Sequence, residues 1–398
     1  MIQRQGYLDS LISFRDKQLI KVVTGIRRCG KSTLLELFCG YLRSDGVADE
    51  QIVYVNLEDG EYDEIETYKQ LYSFVAERIC RDKKTYVFID EVQRVAGFQK
   101  AVDSLFIKKN CDVYITGSNA FLLSGELATL LSGRYVEIKM LPLSFKEYVS
   151  SIPGGANLER QYADYIQNSS FPYALEIAKP KDRRLYLQAI FDTIVLKDII
   201  ARRKFPDIAM LKSVTRFMFD NIGNLCSFKR IADAMESAGR KISVHTVESY
   251  LTALTDCFVL YQIGRYDIKG KQYLKTGDKY YVADVGLRYA ILGSKKADMG
   301  RILENVVYLE LARRGYEIYI GKVGNSEVDF VAIGDEGEEF YQVAHTVIDA
   351  DGATLRRELA PLEAIKDHNP KYLLTMDNTP LTSHNGIKQV NALDWLMK

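Results

Sequence analysis

Several features that mark specialised protein classes are missing from this chain of 398 residues. No apolar run approaches the roughly 20 residues that a membrane-spanning helix needs, and the first residues lack the apolar core of a signal peptide. Lys and Arg together number 53, as do Asp and Glu, so no overall field draws the chain onto nucleic acid. A local basic patch remains compatible with this balance. We therefore expect a cytoplasmic protein without a membrane partner.

Cysteine usage excludes another class. The 6 cysteines are scattered, with no C-x-x-C spacing and no neighbouring histidine pair, which argues against structural zinc and favours reduced thiols. The hydrophobic fraction of 47% and the charged fraction of 27% are ordinary for a globular protein. A chain of this length should hold two or three domains, and no repeat or low-complexity stretch interrupts it.

One short segment is highly specific. Residues 25–32 read Gly-Ile-Arg-Arg-Cys-Gly-Lys-Ser and match the phosphate-binding loop G-x-x-x-x-G-K-[ST] in full. An apolar, β-branched run precedes it and a helix-like run follows it, which is the context that the motif requires. Backbone N–H groups and the helix N-terminus would bind phosphates, Lys31 would bind the β- and γ-phosphates, and the Ser32 hydroxyl would bind Mg²⁺. The predicted nucleotide-binding residues are Gly25, Ile26, Arg27, Arg28, Cys29, Gly30, Lys31, Ser32 and Thr33.

A second apolar run, residues 85–91, ends in two carboxylates, Asp90 and Glu91. Ligands of parallel sheets bind at the carboxyl ends of the strands. We therefore expect Asp90 to hold Mg²⁺, mostly through water, and Glu91 to polarise the attacking water molecule. An ordinary acidic pair at a strand end is the alternative.

Two further residues are candidates for contact with the γ-phosphate. A third strand candidate, residues 111–119, ends in Ser118 and Asn119, and we favour Asn119 because its amide both donates and accepts hydrogen bonds. A turn that only closes the strand is the alternative. Arg134 would stabilise charge that develops on the transferred phosphoryl group, either in its own subunit or in a neighbour, unless it is a solvated surface arginine.

These motifs belong to a wider pattern. It includes Thr-Gly-Ser-Asn at residues 116–119, Leu-Pro-Leu-Ser-Phe at residues 141–145, Lys-Tyr-Tyr-Val-Ala-Asp-Val-Gly-Leu-Arg at residues 279–288 and Glu-Val-Asp-Phe-Val at residues 327–331. The chain resembles the prokaryotic AAA-superfamily ATPases, related to the archaeal-type ATPases, that carry a C-terminal domain of unknown function. This resemblance implies a P-loop fold, ATP rather than GTP, Mg²⁺ as cofactor, and hydrolysis of ATP to ADP and phosphate.

The strand-and-helix alternation ends near residue 150, where a turn-rich connector marks a boundary. Residues 158–219 read as mainly helical, which suits the helical lid that follows the nucleotide core in AAA-type proteins. Four arginines in this segment are either nucleotide contacts or solvated helix charges: Arg183, Arg184, Arg202 and Arg203.

The next segment has the order of a winged helix-turn-helix, with two short helices, a turn through Gly239 and two strand-like runs. Ser243 is the expected N-cap of the second helix. His245 and Thr246 on the second helix, with Lys269 and Lys271 between the strands, are candidate contacts with double-stranded DNA. Phosphate contacts dominate DNA affinity, yet this helix carries no Lys or Arg. A protein-interaction or self-association module is therefore an equal alternative.

The last hundred residues return to a helix followed by strands, which resembles the core of restriction-endonuclease-like domains. Such domains hold Mg²⁺ with a helix Glu, a strand Asp and an E-x-K element. Glu304 and Asp329 match the first two roles, whereas Gln342 and Ala344 stand where the acid and the lysine belong. Because an amide is a poorer Mg²⁺ ligand and alanine cannot activate water, we expect a degenerate scaffold. A nuclease in which another residue replaces the lysine is the alternative.

The predicted fold class is therefore α/β, with a parallel P-loop core at residues 1–150, a helical lid at 151–222, a winged helix-turn-helix at 223–293 and a nuclease-like α/β domain at 294–398. The predicted function is Mg²⁺-dependent ATP hydrolysis that drives a conformational change coupled to DNA or to a protein partner. A DNA-binding regulator that uses nucleotide as a switch is the main alternative.

Overall fold

A computed structural model describes residues 2–117, 131, 133–152, 157–200, 205, 207–293 and 299–398. The chain forms two compact units. The first comprises Met1–Pro142 and Asp256–Phe258, and the second comprises Leu143–Thr255 and Val259–Lys398. No helix within the described ranges has both the length and the apolar character that crossing a bilayer requires.

The first unit contains a five-stranded parallel sheet, and its strand order is β2-β3-β4-β1-β5. Its elements are α1 (Gln5–Phe14), β1 (Ile20–Thr24), α2 (Lys31–Ser44), β2 (Ile52–Asn56), α3 (Tyr68–Ala76), β3 (Thr85–Asp90), α4 (Phe98–Phe106), β4 (Cys111–Thr116) and β5 (Tyr135–Lys139). The three strands predicted in this part of the chain are β1, β3 and β4, and all three are confirmed.

These strands form the centre of the sheet because they are apolar along their whole length. Every residue of β1, β3 and β4 is buried, whereas β2 and β5 at the two edges have partly exposed positions. Val87 and Ile89 of β3 pack in one apolar cluster with Val102 and Leu105 of α4. Since all five strands are parallel, their carboxyl ends meet at one edge of the sheet, which we call the carboxyl edge.

The second unit begins with helices. They are α5 (Phe145–Ser151), α6 (Leu158–Asn168), α7 (Pro180–Thr193), a π-helix (Ile194–Ile200), α8 (Ile208–Asp220), α9 (Phe228–Ser237) and α10 (Val244–Asp256). The predicted helical character of this region is confirmed for the residues described. The Ser243 hydroxyl caps α10 as predicted, accepting a hydrogen bond of 3.0 Å from the Thr246 N–H.

An eight-stranded mixed sheet completes this unit, in the order β12-β13-β11-β10-β9-β8-β6-β7. Its elements are β6 (Leu260–Asp267), β7 (Gln272–Val282), α11 (Val285–Leu292), α12 (Met299–Arg313), β8 (Glu317–Val323), β9 (Ser326–Gly334), β10 (Gly337–Ala344), α13 (Ala353–Glu363), β11 (Lys371–Thr375), β12 (Thr382–His384), β13 (Ile387–Asn391) and α14 (Ala392–Leu396).

The β6–β7 hairpin differs from its predicted place in a separate winged-helix domain. β6 pairs in parallel with β8, so the hairpin extends the C-terminal sheet. Tyr266 and Ile268 lie in the same apolar core as Phe340 and Leu362. The pairing joins Arg265 to Ile320, far apart in the chain, and a local hydrophobic pattern does not reveal such partners. The hairpin therefore belongs structurally with the segment assigned to the nuclease-like domain.

Candidate functional site

The phosphate-binding loop leaves β1 at the carboxyl edge and leads directly into α2. Gly25 has a φ of +147°, and a Cβ atom there would lie 2.1 Å from the carbonyl oxygen of Met140, so only glycine fits. Lys31 is the first residue of α2 and is 5% exposed. Its ammonium donates to the carbonyl oxygens of Gly25 at 3.2 Å and Ile26 at 3.4 Å. The loop thus holds Lys31 with uncharged backbone groups.

A buried arginine supports the loop from outside the motif. Arg4, 2% exposed, donates to the carbonyl oxygen of Cys29 at 3.0 Å and to that of Leu141 at 2.6 Å. It thereby ties the loop to the segment that follows β5. Sequence analysis missed Arg4, since no local pattern connects the N-terminus to residue 141. Cys29 is buried, and this burial raises the pKa of its thiol.

Asp90 lies fully buried at the carboxyl end of β3. Hydrogen bonds join its side chain to the hydroxyls of Ser32 and Thr116, and the Tyr54 hydroxyl donates to it at 3.3 Å. Burial raises the pKa of Asp90, although the bonds from Ser32 and Thr116 act in the opposite direction. The structure thus brings together Ser32 and Asp90, which the sequence predicts as magnesium ligands, and their hard oxygen atoms suit Mg²⁺.

Glu91 follows in a left-handed backbone conformation with φ at +54°, which is uncommon for a residue other than glycine. Its N–H donates to the Thr116 hydroxyl at 3.0 Å, and the Gln93 amide donates to its carboxylate. Because β4 lies beside β3, the single hydroxyl of Thr116 contacts both Asp90 and Glu91. Strained backbone of this kind is concentrated at functional sites.

Two arginines near the loop share one carboxylate. Glu58, which follows β2, accepts from Arg27 of the loop at 3.5 Å and from Arg94, which follows β3, at 3.3 Å. Although burial acts in the opposite direction, the two arginines lower the pKa of Glu58. Arg28, between Arg27 and Cys29, has a φ of +69°. Ion pairs with Glu58 therefore connect three segments at the carboxyl edge: the phosphate-binding loop and the segments that follow β2 and β3.

Arg134 lies at the opposite end of the sheet. The Ile20 N–H donates to its carbonyl oxygen at 2.9 Å at the amino end of β1, and its guanidinium lies 5.6 Å from the centre of the Phe106 ring. The length of β1, about 13 Å at 3.3 Å per residue, separates this position from the phosphate-binding loop. A contact with the γ-phosphate inside one subunit is therefore not supported, and a contact across a subunit boundary stays a prediction. Ser118 and Asn119 lie outside the described residues.

Comparisons with known proteins agree with this geometry. An AAA domain family matches residues 17–149, and a domain of unknown function (DUF8612) matches residues 159–298. A protein of Haemophilus influenzae, named only as uncharacterized, is 40% identical over 402 residues, which cover 100% of this chain and 99% of that protein. The chain belongs to the same family as this protein, and its residues 17–149 match the AAA domain.

Two more distant likenesses extend this result. An uncharacterized protein of Methanocaldococcus jannaschii is 29% identical over 378 residues, covering 91% of this chain and 81% of that protein. The solved structure of a Walker-type ATPase of Pyrococcus abyssi is similar with a TM-score of 0.51 and 15% identity, covering 73% of this chain and 96% of that one. The second likeness supports the fold described above.

The second unit contains an acidic centre, which we define as Glu304, Glu327 and Asp329 around Lys279. The Lys279 ammonium lies 2.9 Å from Glu304, 2.8 Å from Glu327 and 3.7 Å from Asp329, and its side chain is 5% exposed. Sequence analysis predicted Glu304 and Asp329 but missed Lys279 and Glu327. A signal existed, because Lys279 and Glu327 lie within two residues of Tyr281 and Asp329 in motifs that carry the family resemblance.

Gln342 and Ala344, the other two positions of the nuclease-like pattern, have their contacts away from Lys279. The Gln342 amide donates to Glu358 at 2.9 Å, and its oxygen accepts from the Asp329 N–H at 3.4 Å. Ala344 packs into the apolar core of the C-terminal sheet. Neither position supplies a group that contacts Lys279, in agreement with the predicted loss of the E-x-K element.

The charged groups of the acidic centre shift one another's pKa values. Burial, followed by the charge of Glu304, raises the pKa of Asp329, while Lys279 acts in the opposite direction. Burial on its own would lower the pKa of Lys279, but the three carboxylates outweigh it and raise that pKa. Lys279 therefore carries a stable positive charge.

The predicted nucleic-acid residues lie on exposed surface of the second unit. His245 and Thr246 are in the first turn of α10, and the His245 side chain is 89% exposed. Lys269 and Lys271 are exposed on the turn that joins β6 to β7. Tyr273 beside them is 63% exposed, and its ring centre lies 5.0 Å from that of Tyr319.

The lid arginines have different surroundings. Arg183 donates to the carbonyl oxygens of Ala174 and Ile177, at 2.9 and 2.5 Å, and thus has a local structural role. Arg184 is exposed. Arg202 and Arg203 lie outside the described residues.

Proposed function

We propose that this chain is an AAA-type ATPase that hydrolyses ATP in the presence of Mg²⁺ and uses turnover to drive a conformational change coupled to DNA or to a protein partner. One observation carries the proposal. The phosphate-binding loop, Asp90 and Glu91 converge at the carboxyl edge, and the Thr116 hydroxyl bonds to both acidic residues. A general base must lie within hydrogen-bond reach of the water that it activates, and this arrangement fixes Glu91 at the edge where nucleotide binds.

Each residue has a distinct role in the proposed reaction. The loop N–H groups and Lys31 bind the phosphates, and Lys31 exchanges its carbonyl partners for charged phosphate oxygens, which are stronger acceptors. Ser32 and Asp90 would hold Mg²⁺, which supplies positive charge to the β- and γ-phosphates. Glu91 accepts a proton from the attacking water. Arg4 and Thr116 position the loop and the acids.

Arg134 acts in this proposal across a subunit boundary. Its distance from the loop in its own chain supports this role, since an arginine can stabilise phosphoryl transfer in a neighbouring molecule. Mixing Arg134→Ala with Glu91→Gln chains tests it, because each chain then supplies what the other lacks. Turnover by the mixture above that of either variant alone supports the role, and unchanged turnover by Arg134→Ala alone contradicts it.

The test of the ATPase proposal is steady-state turnover by the wild type, Lys31→Ala and Glu91→Gln, with and without double-stranded DNA. We expect both variants to lose turnover. Lys31→Ala should also lose ATP binding, whereas Glu91→Gln should still bind ATP. Stimulation of the wild type by DNA supports DNA as the partner. Tight ATP binding without turnover under either condition would favour the nucleotide-switched regulator instead.

DNA as the partner is supported by the exposed groups on the β6–β7 turn, where Lys269 and Lys271 lie near Tyr273. Lysines bind the phosphates of the DNA backbone. The double variant Lys269→Glu, Lys271→Glu should weaken DNA binding and reduce its salt dependence, whereas Lys366→Glu, an exposed lysine of the same unit, should not. Equal binding by both variants would favour a protein partner.

A further inference from the structure

The acidic centre of the second unit contains its own cation. We propose that Lys279 is the permanent counter-ion of Glu304, Glu327 and Asp329, that it occupies the place where a divalent metal would bind, and that it anchors the β6–β7 hairpin in the C-terminal sheet. The centre is then a structural ion cluster without bound metal. This inference does not depend on ATP hydrolysis.

The geometry of the ammonium is the first argument. Lys279 comes from β7, Glu304 from α12, and Glu327 and Asp329 from β9, so one side chain connects three elements. Two of its contacts, at 2.9 and 2.8 Å, are at hydrogen-bond distance. A metal ion that bound the same oxygen atoms would need the space that the ammonium fills. Within the described ranges, no three or more His, Cys, Asp or Glu residues are grouped so that they could hold a metal.

The other partners of the carboxylates leave little room for a hydrated ion. The Tyr281 hydroxyl donates to Glu304 at 2.6 Å, and the Val343 N–H donates to Asp329 at 2.9 Å. Gly223 approaches Glu304 so closely that a Cβ atom on it would lie 3.2 Å from a carboxylate oxygen. Since Mg²⁺ usually keeps several water molecules, this packing favours the compact ammonium over a hydrated ion.

The charge balance is the third argument. Three carboxylates face one ammonium, and two of them also accept hydrogen bonds from other protein groups, Glu304 from the Tyr281 hydroxyl and Asp329 from the Val343 N–H. Glu327, whose side chain is 31% exposed, is the member best screened by solvent. The centre therefore needs no second cation.

Binding of Mn²⁺ to the full-length chain tests the metal part of the proposal. All variants carry Asp90→Asn, so that the nucleotide site does not contribute to the titration. In the protein that retains Lys279, we expect Asp329→Asn to leave Mn²⁺ binding unchanged. Lys279→Met should gain at least about tenfold in Mn²⁺ affinity through the unpaired carboxylates, and adding Asp329→Asn should abolish this gain. Mn²⁺ binding in the Lys279 protein that Asp329→Asn removes would overturn the proposal, and so would Mg²⁺-dependent DNA cleavage that Asp329→Ala abolishes.

Thermal unfolding tests the anchoring part. Lys279→Met leaves buried carboxylates without their cation and should lower the unfolding midpoint of the second unit by about 10 °C or more. Lys279→Arg should restore part of this loss because it keeps the charge. Lys366→Met, at an exposed lysine of the same unit, is the matched control and should change the midpoint little. Equal midpoints for Lys279→Met and the wild type would overturn the anchoring role. If Lys279→Met does not fold, the comparison of Asp329→Asn with the Lys279 protein still decides the metal question.

Discussion

The two units each place a buried lysine near acidic side chains, but they pair these charges differently. At the carboxyl edge of the first unit, Lys31 donates to two backbone carbonyl oxygens, and Asp90 is held by the hydroxyls of Ser32, Thr116 and Tyr54. In the second unit, Lys279 contacts three carboxylates directly.

Because of this difference, the charged groups of the first centre stay available to a ligand, whereas those of the acidic centre neutralise one another. Neutral partners hold the charges of Lys31 and Asp90 in position without cancelling them, so phosphates and a metal ion can bind to them. Direct ion pairs in the acidic centre cancel most of the charge inside the fold, which leaves little attraction for another cation. The partners of the charged groups, more than the residue types, thus distinguish the two centres.

The largest expected effect is that of Glu91→Gln. An amide cannot accept the proton from the attacking water, so turnover should fall by about 100-fold or more while ATP binding is retained. Steady-state phosphate release and equilibrium ATP binding measure the two quantities. Glu61→Gln changes an exposed glutamate in the same unit and should leave both unchanged. Loss of binding together with turnover would show that Glu91 acts on the structure of the site rather than on the water.

Thr116→Val tests how the acids of the first centre are held. It keeps the shape of the side chain but removes the hydroxyl that contacts Asp90 and the Glu91 N–H, and we expect turnover to fall by roughly 10-fold or more. Thr85→Val is the matched control, because Thr85 is also buried but lies at the amino end of β3. If both variants lose the same fraction of turnover, the proposal that Thr116 positions the two acids is wrong.

Arg4→Met tests the support of the phosphate-binding loop. Without the guanidinium, the carbonyl groups of Cys29 and Leu141 lose their buried donor, which costs about 1–3 kcal/mol. We expect ATP affinity to fall by about 10-fold, with a smaller effect on turnover at saturating ATP. Arg43→Met removes an exposed arginine of α2 and should leave the affinity unchanged. Normal ATP affinity in Arg4→Met would show that Arg4 does not support the phosphate-binding loop.

The smallest effect concerns pH. Burial raises the pKa of Asp329 to about 8, so the folded state binds this proton more tightly than the unfolded chain does. Its contribution to stability is therefore present below the ordinary carboxyl range and is lost as pH rises towards 8. The groups that face it are Glu304 from α12, Lys279 from β7, Glu327 of its own strand and the Val343 N–H from β10.

Unfolding midpoints measured from pH 5 to pH 9, compared between the wild type and Asp329→Asn, check this expectation. The wild-type midpoint should fall with rising pH relative to that of the variant. A wild-type midpoint that rises relative to Asp329→Asn over this range would show that Asp329 is ionised throughout and would contradict the charge balance of the acidic centre.

The sequence predicted those parts of the molecule that depend on neighbouring residues. The loop, the strands that end at Thr24 and Asp90, and the cap at Ser243 are local patterns, and the structure has them where they were expected. Arg4 and Lys279 were missed because their partners come from strands and helices distant in the chain. Non-local pairing also explains why the β6–β7 hairpin was assigned to a separate domain. Arg134 was expected near the γ-phosphate, but the strand direction places it far from the loop of its own chain.

The most direct test of the contrast between the two centres is the number of Mn²⁺ ions bound per chain in the presence of a non-hydrolysable ATP analogue. The account predicts one ion, lost in Asp90→Asn and retained in Asp329→Asn. A second ion that disappears in Asp329→Asn, or one ion that survives Asp90→Asn, would contradict it.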